Sequence, residues 1–85
     1  MGLFKTPTQK QAIYILEMID EMGKIGRQEL REELELTRSG LIELRDKLEI
    51  IARGGSADLT ELNKLERIVE DIYEDNSEDE DDEDY

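Results

Sequence analysis

The sequence has no cysteine, no histidine and no tryptophan among its 85 residues, and it has one proline and one phenylalanine. Without cysteine there is no disulfide scaffold, no thiolate metal site and no thiol nucleophile. Without histidine, imidazole acid–base chemistry and histidine-ligated metals are excluded as well. No apolar run approaches the roughly 20 residues that a membrane-spanning helix needs. No basic leader followed by an apolar stretch opens the chain, so a soluble, cytoplasmic or otherwise intracellular protein is expected. The glycines spell neither a Gly-x-Gly-x-x-Gly turn nor a phosphate loop. No catalytic residue, metal ligand or cofactor is assigned, and the chain reads as a non-enzyme.

Charge is what the sequence has in quantity. It carries 24 acidic against 11 basic residues, a formal net charge of −13. Nine of the carboxylates lie in the last twelve residues, from Glu74 onward, with no basic residue among them. Residues 1–73 hold the other 15 acids and all the bases, a net of −4, and residues 1–56 are nearly balanced at −1. The acidity therefore belongs largely to a tail. Such a run repels itself and has little to bury, so disorder is expected over residues 76–85 and a folded domain over residues 1–75.

The folded part shows its own punctuation. Thr6, Pro7 and Gln9 make a helix start, with Thr6 as N-cap and Gln9 as its reciprocal partner. Ala12, Ile15, Leu16, Ile19 and Met22 then form an apolar stripe, and Gly23 stands where a left-handed helix end belongs. After Gly26 a short second helix places Leu30 and Leu34 on one face. A third helix carries Leu41, Leu44, Leu48 and Ile51. Gly54-Gly55-Ser56 is a turn. Asp58 and Glu61 make a second capping box, opening a fourth helix with Leu62, Leu65, Val69 and Ile72. The expected fold is all-α or mostly α, with four helices and room for a short two-stranded wing near Gly54.

Residues 27–46, RQELREELELTRSGLIELRD, hold the functional signal. Leu30 and Leu34 on one helix, Leu36 in the turn, and Leu41 and Leu44 on the next are placed to bury the corner between two steeply crossing helices. This arrangement resembles the helix-turn-helix of DNA-binding regulators. The longer run LTRSGLIELRDKLEIIARGGSA resembles the recognition helix and wing of DeoR-like winged-helix repressors. It departs from that family in having Glu35 at the usual turn glycine, Arg31 at the usual small residue, and a shorter wing region.

The resemblance implies a regulator of transcription that places the helix near residues 37–51 in the major groove of double-stranded DNA. Thr37, Arg38, Ser39, Ile42 and Glu43 would then face the bases, with Arg38 suited to guanine and Glu43 to cytosine. Lys24, Arg27, Arg31, Arg45, Lys47 and Arg53 would hold the phosphate backbone. Against this, Glu32, Glu33 and Glu35 must point away from DNA. The face made by Leu62, Leu65, Val69 and Ile72 serves equally as a homodimer seam or as cover for the domain's own core. The tail can lie across the basic residues or engage a basic protein partner. The alternative function is an acidic helical adaptor, or DNA mimic, that occupies a protein. A small regulator with no ligand-sensing domain is of the type carried by viruses, plasmids and other mobile elements. Met1 to Thr6 also fits an N-myristoylation pattern, but the helix start explains Thr6 and Pro7 better, and Leu3 and Phe4 are expected to pack on the first helix.

Overall fold

A computed structural model describes residues 5–83, with side chains placed through residue 76. The readings of Gly2, Leu3 and Phe4 lie outside the described residues. The described residues form four helices: α1 (Pro7–Glu21), α2 (Gly23–Leu34), α3 (Arg38–Ala52) and α4 (Leu59–Glu83). No strand occurs among the described residues, and none of their helices is long and apolar enough to cross a membrane.

Each boundary has a local cause. The Thr6 hydroxyl accepts from the Gln9 amide at 3.1 Å while the Gln9 side chain accepts from the Thr6 amide at 2.8 Å, a complete capping box. At the other end of α1, Gly23 adopts φ +80°, a conformation that costs glycine little. The helix restarts at once, so α2 begins at Gly23 rather than after Gly26, and Gly26 lies inside it. A Cβ on Gly26 would stand 2.6 Å from that of Met22, so the tight joint between α1 and α2 depends on glycine at this position. Asp58 accepts from the Thr60 amide at 3.0 Å and opens α4.

The apolar stripes meet in one core. Ile15 and Ile19 of α1, Leu30 of α2, Leu48 of α3 and Val69 of α4 are its largest fully buried side chains. α1 runs through the middle, packed mainly on α3 and α4, while α2 leans on α4. α2 and α3 share a corner but no extended contact along their lengths. Leu62, Val69 and Ile72 are buried in this core and Leu65 packs against it, so the face that could have been a dimer seam is used within the chain.

Two expectations are not confirmed. The wing is not formed: Gly54 and Gly55 donate to the carbonyls of Ile51 and Ile50 at 3.0 and 2.9 Å, closing α3 with a Schellman turn. Gly54, at φ +113°, reverses the chain there, and only Gly55, Ser56 and Ala57 remain before Asp58, too few for two strands. The disorder expected from Asn76 is not confirmed, and α4 is described as far as Glu83. After Gly55 the sequence has no proline or glycine, and glutamate is a good helix former. At about 1.5 Å per residue, the 25 residues of α4 reach roughly 37 Å, against a longest molecular dimension of 44 Å. Ile72 is the final buried position among the residues whose side chains are described.

Candidate nucleic-acid interface

Helical periodicity writes the same pattern twice. Lys24, Arg27, Gln28 and Arg31 stand three, one and three residues apart on α2, and Arg38, Leu41, Ile42 and Arg45 repeat that spacing on α3. Residues so spaced share one face of a helix. The turn Glu35-Leu36-Thr37 sets the two faces toward each other across an open cleft of about 600 Å³, lined by these eight residues. Five of the eight are cationic and none is a carboxylate. Leu41 and the exposed Ile42 give the cleft its apolar part.

The turn is held by a second Schellman motif, with Leu36 donating to Arg31 at 2.8 Å and Glu35 to Glu32 at 3.2 Å. Thr37 caps α3 by accepting from the Gly40 amide at 3.0 Å. Its hydroxyl is thereby committed to the helix start.

The cations differ in how freely they are held. Arg27 donates through Nη1 to the carbonyls of Ile19 and Asp20, at 3.2 and 3.3 Å, and so closes the C-terminal end of α1. Arg45 pairs with the Asp20 carboxylate. The Nε of Arg31 is buried without a hydrogen-bond partner. Lys24 and Arg38 are exposed.

The acidic residues of α2 occupy its other side. Glu29, Glu32 and Glu33 line a groove against Asp71 and Asp75 of α4. Glu33 also lines an adjoining groove with Glu70, Asp71 and Glu74, where Arg67 is the single cation. Cationic and anionic faces are thus separated by the thickness of one helix, about 10 Å, close to the screening length of about 8 Å at physiological ionic strength. Glu32 and Glu33 line the groove against α4 and not the cleft, while Glu35 is exposed in the turn between α2 and α3.

Of the remaining sequence candidates, Ser39 and Glu43 are exposed on α3 without lining the cleft. Lys47 lies elsewhere, at the edge of an apolar cleft of about 290 Å³ formed with Leu36, Leu44 and Leu65. Arg53 sits in the turn that ends α3 and does not join the basic face. Two contributors were not read from sequence. Gln28 is recoverable from its spacing to Lys24, whereas the pairing of Asp20 with Arg45, 25 residues apart, leaves no local signal.

Neither placed tyrosine lies in the cleft. Tyr14 donates to Glu70 at 3.0 Å and Tyr73 to Glu21 at 2.9 Å, each tying α1 to α4. The hydrogen bond to Glu70, with desolvation and the charges of Glu70, Glu66 and Glu74, pushes the Tyr14 phenol above its ordinary pKa. It is a neutral donor here. Gln11 adds bonds to Asn63 and Glu66, so the α1–α4 contact is laced with polar ties. Among the described residues, no cluster of acidic side chains is arranged to hold a metal ion. No family model, curated protein or solved structure matches the chain.

Proposed function

We propose that this chain is a small DNA-binding protein, acting in transcriptional regulation through the helix-turn-helix formed by α2, the turn and α3. The observation that carries the proposal is the cleft of Lys24, Arg27, Arg31, Arg38 and Arg45, free of carboxylates in a chain of net charge −13. Composition alone would scatter acids among these positions. The two repeated stripes instead collect the basic side chains where the chain offers two helices to one ligand. Duplex DNA suits this face better than a single strand does, because unpaired bases need aromatic stacking platforms and the cleft has none.

In this reading Lys24, Arg31 and Arg45 hold phosphates and fix the register of α3, while Arg27 holds the end of α1 in place. Arg38, at the first turn of α3, reaches base edges, with Ser39 and Glu43 beside it. Ile42, at 60% exposure, offers an apolar contact such as that to a thymine methyl. The helical end of α4 and the residues beyond it act as an anionic competitor.

The test is binding of the full chain to duplex DNA over a salt series. With about three phosphates engaged, the logarithm of the binding constant should fall against log salt with a slope of roughly −2.7. Arg38→Ala should weaken binding to a selected site by about 1–3 kcal/mol and relax choice at one base pair. A parent chain that ignores duplex DNA at low salt removes the proposal. It would favour the second reading, an acidic adaptor or DNA mimic, which has in its support the carboxylates along α2 and α4.

A further inference from the structure

We infer that Asp20 is a positioning residue that withholds Arg45 from polyanions entering the cleft, and thereby sets how tightly the interface binds. The inference rests on the DNA-binding reading. The end of α1 presents three acceptors to the cleft's cations: the carbonyls of Ile19 and Asp20, and the Asp20 carboxylate. The first two belong to the backbone. They are the otherwise unsatisfied acceptors of a helix C-terminus that has no basic residue in its own last turn, and Arg27 supplies what is missing. Arg27 is therefore structural in any state of the molecule.

Arg45 is held differently. Its partner is a side chain, and the pair is open to solvent, with side-chain exposures of 38% and 57%. Exposed pairs are weakly held, so a phosphate can exchange for the carboxylate. Asp20 does not line the cleft, yet among the described residues it provides the one carboxylate ion-paired with a cleft cation. It both occupies a guanidinium and places a negative charge beside the site. The α1 helix thus carries a removable brake on an interface built by α2 and α3.

The experiment compares the full-length parent with Asp20→Asn, Asp20→Glu, Arg45→Ala and the Asp20→Asn/Arg45→Ala double variant, each titrated with a 20-base-pair duplex over a salt series. Freeing the guanidinium removes the cost of displacing the carboxylate while the phosphate it meets stays the same, so the slope against log salt should shift by less than the roughly 0.9 of a full contact. Affinity at low salt should rise several-fold in Asp20→Asn, and Asp20→Glu should bind as the parent does. In the Arg45→Ala background, Asp20→Asn should change little. A parent that binds and an Asp20→Asn variant that binds no better overturn the inference and leave the DNA reading standing. The same gain with and without Arg45 also overturns it, reducing the effect to net charge. Parent and Asp20→Asn both indifferent to the duplex at low salt remove the DNA reading and this inference together. Thermal melts of each variant separate these results from a change in folding.

Discussion

At Glu35 the backbone adopts φ +57° and ψ +47°, the left-handed conformation, and this is the sole non-glycine residue among those described with a positive φ. An L-residue with a Cβ pays roughly 1–2 kcal/mol there relative to the right-handed region. The equivalent position at the end of α3 is Gly54, in the same hydrogen-bonded motif, so the fold solves one problem in two ways. Glu35→Gly should therefore stabilise the domain. After allowing for the extra freedom glycine gives the unfolded chain, a gain of about 0.5–1 kcal/mol is expected, equivalent to a rise of a few degrees in melting temperature. A melt that is unchanged or lower would show that the Glu35 side chain contributes something the turn geometry does not reveal.

Among the elements, α4 was the ambiguous one, because Leu62, Leu65, Val69 and Ile72 suit a dimer seam and a core alike. The structure places Val69 at 0% exposure, within the core of a single chain. Val69→Asp should then unfold the domain, since an unpaired buried carboxylate costs several kcal/mol against a total stability of about 5–15 kcal/mol. Leu59→Asp is the control: Leu59 is exposed at the first position of the same helix, where an acid is favoured by the macrodipole. Circular dichroism of the two variants decides between core and seam. A folded Val69→Asp would mean that this face is not needed for the fold.

How legible these elements were depends on what marks them locally. The apolar stripes were readable because a helix buries every third or fourth residue, and four helices emerged with the expected core. Met18 was overlooked because Leu16 also fits the α1 stripe, and only packing shows that Met18 is buried and Leu16 partly so. Gly23 marks the stop of α1 in the sequence, but nothing local shows that the next helix begins on the same residue. The basic side chains were visible as a cluster from Lys24 to Arg53, yet clustering in sequence ignores direction. Lys47 is two residues past Arg45, about 200° around the helix, and so falls on the opposite side. The wing was expected from glycines that instead end α3. The Asp20–Arg45 pair depends on how α1 lies against α3, which no local pattern encodes.

On the scale of the whole molecule, the charge is distributed as opposed faces rather than as a uniform −13. One side of α2 offers cations with α3, and the other offers carboxylates with α4. Among the residues whose side chains are described, Asn76 is the last with a tertiary hydrogen bond, from its side chain to Glu29, alongside its bond to the Ile72 carbonyl at 2.8 Å. A chain ending at Asn76 keeps that contact and every core residue named above while losing seven carboxylates, which moves the net charge from −13 to −6. Its melting temperature should change little. Its affinity for duplex DNA should rise at low salt, because the field opposing the cleft is reduced, and the gain should shrink as added salt brings the screening length to about 8 Å. Choice between DNA sites should stay as it was, since Arg38, Ser39 and Ile42 are untouched. The carboxylate-rich last turns also oppose the helix macrodipole and repel one another, so helicity at the end of the full chain should increase with salt. If the truncated chain binds DNA no better at low salt, the tail does not act on the cleft. If it folds and ignores DNA altogether, the anionic face is the working one and the partner to seek is a basic protein.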